Sequence, residues 1–317
     1  MSGVDHLQEL LGLPAVDFRP DDSASPLPAA DAAAWRVSVD PYADEDGPWG
    51  ERFDEFLEAV DPARVRALII GQWGESYDAD SSYPINLVIA AADRLTSLEA
   101  IFVGDVSQEQ AEISWIEQSD VTGLLSAFPR LLELGVRGGQ GLRFPPARHD
   151  RLRSLVFESG GLPAAVVRGI TESELPSLDH LDLWLGVSEY GGDTEIADLA
   201  PLLSGTRFPG LRHLGLRNSE IQNEIAAAVA SAPVVARLHT LDLSNGTLGD
   251  EGAAALLEGQ PLTHLEHLDL HHHFLSQEME QRVAGALEPQ GVSVDLSDRL
   301  EPWDNRGAEG RYTAVAE

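Results

Sequence analysis

The sequence predicts an α/β solenoid, in which short parallel strands stack into one sheet on a concave face and helices return the chain along a convex face. Three observations predict it. A hexapeptide of the form LxxLxL recurs at Leu178–Leu183, Leu211–Leu216, Leu238–Leu243 and Leu265–Leu270. Weaker copies precede these at Val65-Leu68-Ile70, Leu98-Ile101-Val103, Leu131-Leu134-Val136 and Leu152-Leu155-Phe157, and a degenerate one ends at Val294-Asp295-Leu296. First positions advance in steps of 33, 33, 21, 26, 33, 27 and 27 residues, a period that marks stacked repeats. About nine strands are expected from these copies.

Each element follows from the spacing. The last two aliphatic residues of a copy are two apart on a strand and face the same way. One repeat cannot bury them, whereas stacked neighbours share a continuous apolar column. Between strands, Ile221, Ile225, Ala228 and Val229 form a helical stripe, as do Ala253, Ala254 and Leu257. Asp250-Glu251 and Ser276–Glu280 supply acidic or capping side chains at the expected helix starts. A non-helical return usually fits in fewer residues, and the 21-residue step is where one is expected.

Residues 1–60 read as an N-terminal cap, 61–297 as the solenoid and 298–317 as a polar C-terminal tail. In the cap, Leu7, Leu10 and Leu11 have helical spacing, Asp21–Pro28 is a loop, Trp35–Val39 alternates as a strand, and Phe53, Phe56, Leu57 and Val60 form a second helical stripe.

Composition narrows the function. The 317 residues carry 53 acids against 21 bases, a formal charge of −32, and every base is arginine. Without lysine there is no Schiff-base or phosphate-loop lysine chemistry, and without cysteine there is no thiol nucleophile, disulfide or zinc–thiolate site. So negative a field repels phosphate backbones and disfavours nucleic acid as a partner. The start, Met1–His6, lacks the run of a secretion signal, and stretches such as Leu87–Ala92 are too short to span a bilayer. A cytoplasmic protein with no membrane contact is expected. No cofactor is expected either: Arg137-Gly138-Gly139-Gln140-Gly141 lacks the dinucleotide spacing and reads as a repeat turn, and no GxSxG nucleophile motif is present.

The copies from Leu178 to Leu270 resemble the leucine-rich-repeat superfamily, and their long helical returns resemble its ribonuclease-inhibitor-like subtype. Further pieces resemble stand-alone bacterial leucine-rich-repeat proteins of actinobacteria: Trp115-Ile116 with Phe128-Pro129-Arg130-Leu131, Arg137-Gly138-Gly139, Leu183-Trp184-Leu185-Gly186 with Tyr190-Gly191-Gly192, and the ending Arg311–Glu317. That resemblance implies no enzymatic activity. It implies genes encoded beside radical-SAM and ATP-grasp-like proteins, and so an accessory or substrate role. The sequence departs from the superfamily where an asparagine normally bonds the loop backbone: Gly139, Gly186, Ser219, Gly246 and His273 stand there.

Strand positions between the leucines face the concave surface. They place Asp182, Asp242, Asp269, Asp295, His180, His213 and His267 in an Asp/His stripe, flanked by Trp184, Arg217 and His271. Interfaces draw energy from aromatic and arginine anchors in such settings. Trp184, Arg217, Asp182, Asp242, Asp269 and His271 are therefore expected to contact a protein or peptide partner, against the plainer reading of repeat filler on a solvated face. His271-His272-His273 suggests a metal, but neighbouring residues on a strand point different ways and no first shell is completed, so no metal is expected. In the tail, Tyr312 and Glu317 carry the chemistry of a recognition peptide or modification site, the alternative being a frayed terminus. The readings are thus a non-catalytic binding scaffold or, alternatively, a substrate whose tail a partner enzyme modifies. Oligomeric state is left open.

Overall fold

The computed structural model describes residues 4–19, 27–42, 47–303 and 310–316. Its strands form one sheet in chain order: β1 Glu9–Leu10, β2 Leu13–Asp17, β3 Ala34–Val37, β4 Ala67–Ile70, β5 Ala100–Val103, β6 Glu133–Arg137, β7 Ser154–Glu158, β8 His180–Gly186, β9 His213–Ser219, β10 Thr240–Asp242, β11 His267–Asp269 and β12 Ser293–Asp295. All pairs are parallel except β1 with β2. The nine LxxLxL-like copies account for β4 to β12. The sheet has twelve strands among the described residues, so the expected nine falls short by the three that the N-terminal region contributes.

The register places equivalent residues side by side. Leu214 pairs with both Leu181 and Leu241, and Leu241 pairs with Leu268. Leu183, Leu216, Leu243 and Leu270 are at most 1% exposed, and so are Leu178, Leu211 and Leu238. Alternation sends these side chains into one apolar column and the residues between them to the concave face.

The returns between strands include helices α1 Trp49–Ala59, α2 Ser82–Ala90, α3 Thr122–Ala127, α4 Ala164–Glu172, α5 Ile196–Leu203, α6 Gln222–Val229, α7 Asp250–Glu258 and α8 Gln277–Leu287. Ser276 caps α8 by accepting from Met279 N at 3.2 Å. In α6, Ile225 and Val229 point inward as expected. In α7, Leu256 is the buried leucine and Leu257 is only partly covered. No helix lies between β6 and β7, the 21-residue step. At the N-terminal end, Phe53 and Phe56 of α1 close the core against Phe18, Trp35 and Trp49, with ring centroids 5.0–6.2 Å apart. Among the described residues, no helix is long and apolar enough to cross a membrane.

In place of an asparagine ladder, several kinds of side chain satisfy the loop backbone. Buried His273 accepts from Leu275 N and bonds Leu296 O. Gln222 spans Leu216 O and Ser219 N, and Gln118 donates to Arg137 O. Buried carbonyls and amides need such partners wherever they come from.

The helix expected from Leu7, Leu10 and Leu11 is instead a hairpin of β1 and β2. Leu11 (φ 57°) and Gly12 (φ 65°) both turn left-handed between them, the geometry of a tight hairpin turn. The hairpin folds over the concave side of β3 to β5. There Leu10 packs with Ala34, Ala67, Ile69, Ala100 and Phe102, and Leu7 and Leu11 pack against the same cluster. The concave side of β3 to β5 is thereby covered by the chain's own beginning.

Candidate functional site

What remains open on the concave side is a polar strip along the later strands. It begins where the N-terminal segment is tied down. Asp105, one residue past the end of β5 and its following glycine, has a fully buried side chain and receives Arg36 Nε at 2.6 Å and Arg137 Nη1 at 3.2 Å. It also accepts the Leu7 amide at 3.0 Å, and His6 lies 3.4 Å away. Arg36 continues to Asp17 and to Leu7 O, while Arg137 continues to Glu158 at 2.7 Å. Burial alone would raise the Asp105 carboxyl, but the His6 bond and the Arg137 and Arg36 charges outweigh it and hold it below the ordinary range.

A second cluster centres on Arg217. Its guanidinium lies 3.2 Å from both Asp182 and Asp242, donates to Ser244 Oγ at 3.0 Å, and sits 5.2 Å from the centre of the Trp184 ring, a cation–π distance. Two carboxylates thus share one cation in a poorly solvated place. Burial, opposed by Arg217 but reinforced by Asp242, pushes Asp182 up to about 7. Asp182 Oδ1 and the Trp184 indole N–H are buried without a hydrogen-bond partner. Further along, Asp269 Oδ1 meets His271 Nδ1 at 2.7 Å, and this bond raises the His271 imidazole. At the first strand position, His180 and His213 stack with centroids 3.9 Å apart and planes 11° from parallel. Burial, with His180 and Arg217 adding to it, brings His213 down to about 3.

Between these clusters lies a cleft of about 270 Å³ lined by Arg137, Glu158, Trp184, Arg217 and His271. Segments from near both ends of the chain also line it: Val4 and Asp5, and Ala314 and Val315. The C-terminal segment runs back across the turns that follow the strands, against the direction of the repeats. Asn218 grips Val315 through both its amide oxygen and nitrogen, Asn245 O accepts Ala314 N at 2.8 Å, and His272 Nε2 meets Tyr312 O at 3.2 Å. Ser114 Oγ donates to Ala316 O. Asn218, Asn245 and His272 are 27 residues apart and have φ of 52°, 64° and 55°. Asparagine is among the few residues that tolerate this left-handed backbone.

Neither a family model nor a curated protein matches the chain. Among solved structures, a Bacteroides fragilis protein from a structural-genomics programme superposes with a TM-score of 0.81 at 30% identity, over 90% of this chain and 78% of that one. The chain belongs to the same family as that protein. The leucine column and parallel ladder make it a leucine-rich-repeat protein. A TLR13–ssRNA13 complex (TM-score 0.42, 17% identity, 78% of this chain and 35% of that one) and Listeria monocytogenes InlP (0.34, 14%, 79% and 68%) also match, at scores too low to bear on function.

The leucine-rich-repeat sheet brings the sequence-selected residues together, with unequal access. Trp184, Arg217, Asp269 and His271 are partly exposed, but Asp182 and Asp242 are 7% and 5% exposed and committed to Arg217. A ligand would meet the indole, the guanidinium edge and the imidazole before either carboxylate. The histidine triplet diverges: His271 turns to Asp269, His272 to the C-terminal segment and His273 into the loop interior. Tyr312 is half-buried, its ring against His272, Phe274 and Trp303, in place of a frayed end. Glu317 lies outside the described residues. Sequence reasoning missed Asn218 and Asn245, whose signal is the 27-residue recurrence just past the concave positions.

Replacing Asn218 by glycine keeps the left-handed turn and removes the clamp, at a cost of about 1–3 kcal/mol. The Ala314 and Val315 amides, both hydrogen-bonded in the parent protein, are expected to be protected there and to exchange fast in this variant by hydrogen-exchange mass spectrometry. Unchanged protection would mean that the segment is held by other contacts.

Proposed function

We propose that this protein is a non-catalytic binding scaffold that takes an extended peptide or a protein loop into its concave cleft. The observation carrying this reading is the cleft itself: Trp184, Arg217 and His271 converge on a concave opening, and the segments already bounding it are extended chain held through main-chain groups. Such a surface offers an aromatic and an arginine at its centre, the residue types that dominate interface energetics. A net charge of −32 favours a basic partner and works against a phosphate backbone. Binding of this kind calls for no cofactor, and the composition fits a cytoplasmic setting.

The alternative, in which the tail is the substrate of a modifying enzyme, requires 311–316 to leave its seat first. Thr313 and Val315 are at most 8% exposed, so the scaffold reading needs fewer rearrangements.

The test is affinity purification from the native host with quantitative mass spectrometry, comparing the parent protein with Trp184→Ala. The indole is a better target than Arg217, whose removal would leave Asp182 and Asp242 without their cation. A genuine anchor is worth about 2 kcal/mol, or roughly thirtyfold in affinity. A partner retained at parental levels by a folded Trp184→Ala protein would overturn the reading.

A further inference from the structure

We propose that His180, Asp182 and His213 form a binding site for a divalent transition-metal ion, zinc being the probe of choice, on the concave face beside the cleft. The placement follows from the ladder. His180 and Asp182 are two apart on β8 and so share a face, and His213 is the register partner of His180 on β9. One ring nitrogen from each histidine and one carboxylate oxygen of Asp182 lie within 4.8 Å of one another, and the stacked imidazoles would have to tilt apart to aim both nitrogens at one ion. The position next to Asp182 on β9 is Gly215, where any Cβ would sit 2.7 Å from Asp182 Oδ1. The glycine gives the carboxylate its room.

Three features point to a cation. First, two buried atoms of this trio, Asp182 Oδ1 and His213 Nε2, have no hydrogen-bond partner, an arrangement that costs free energy unless something fills it. Asp182 is 93% buried, so bulk water does not offset the loss. Second, the neighbourhood is short of positive charge: Asp182 and Asp242 share the single Arg217, and a bound cation would offset the surplus carboxylate. Third, Asp182 already has the outer support of a metal ligand. Its Oδ2 is held by Arg217 Nη1 at 3.2 Å, which fixes the carboxylate and leaves Oδ1 to face another group. Two imidazoles and one carboxylate suit zinc, iron, cobalt or nickel and not calcium or magnesium. Three protein ligands leave a further coordination position for a water that comes with the ion or for a side chain of whatever enters the cleft. The ligands come from repeats 33 residues apart, so no motif at metal-binding spacing announces them. The more conspicuous His271–His273 run does not assemble one site.

The experiment is a titration of the full chain, stripped with chelator, with Zn²⁺ by calorimetry and with Co²⁺ by visible absorption, in parallel for His213→Ala, Asp182→Asn and His271→Ala. One equivalent is expected to bind the parent protein at micromolar or better affinity. His213→Ala and Asp182→Asn should each weaken binding by about 100-fold or more, with His271→Ala close to the parent. Cobalt spectra report the ligand set independently of affinity, and circular dichroism confirms that each variant is folded; His180→Gln serves if His213→Ala is not. Absence of binding in the parent overturns the proposal. So does binding that survives His213→Ala, or that disappears with His271→Ala, which would place the ion at Asp269, His271 and Asp295 instead.

Discussion

Leu241→Asp is expected to lower unfolding free energy by several kcal/mol, enough to remove a large part of the about 5–15 kcal/mol that holds a typical domain. Leu241 is fully buried on β10, between Leu214 and Leu268 in register. The change forfeits the burial of a leucine side chain, about 1.5–3 kcal/mol, and puts a carboxylate with no partner into an apolar column. The comparison that gives the experiment its meaning is Thr240→Asp, one residue away. Thr240 alternates to the concave face and is the register partner of His213 and His267, so an acid there meets imidazoles and some solvent. Its cost should stay below about 1 kcal/mol. Urea denaturation with a shared slope checks both. If Thr240→Asp proved the more damaging of the two, the strand's inward and outward faces would be assigned the wrong way round. Because each repeat touches only its neighbours, the damage should concentrate around β9 to β11, and hydrogen exchange can map it there.

That contrast also explains why the fold was legible. The aliphatic residues of β4 to β12 recur because every coil must contribute to the same column, and a repeated constraint leaves a repeated sequence. Nothing repeated governs the termini. Leu7, Leu10 and Leu11 have a spacing that satisfies a helix, and only the left-handed turn at Leu11-Gly12 makes them a hairpin. Their partners, Ile69 and Phe102, are distant in sequence. The Asp/His stripe was legible as positions on a face, because alternation alone assigns the face. Its internal pairing was not. That Arg217 absorbs Asp182 and Asp242 depends on side-chain reach across three strands. The seat of the C-terminal segment was hidden for the same reason: Ser114 and Ala316 are 202 residues apart.

Asp105→Ala is expected to cost about 3–5 kcal/mol, the penalty for stranding buried charges by removing one partner. Arg36 and Arg137 are 7% and 2% exposed and converge on this carboxylate. Each keeps one other acid, Asp17 and Glu158 respectively, so the loss is that of a shared counter-charge and not of all pairing. Removal also frees the Leu7 amide, and with it the segment that crosses the concave face. Two measurements separate the electrostatic role from simple cavity formation. In Asp105→Asn the shape is kept and the charge lost, so most of the destabilisation should persist at neutral pH. The pH dependence has a definite sign. The folded carboxyl lies below the ordinary 3.8, so the folded state binds this proton less readily than the unfolded one. Its stabilising contribution is therefore complete above about pH 5 and declines as pH falls through and below 3.8. The difference in unfolding free energy between the parent and Asp105→Asn should shrink across that acidic window and be flat from there to neutrality. A difference that grew on acidification would mean that the arginines do not hold Asp105 in its charged form. The concave network would then be doing something other than tying the first residues of the chain to its middle.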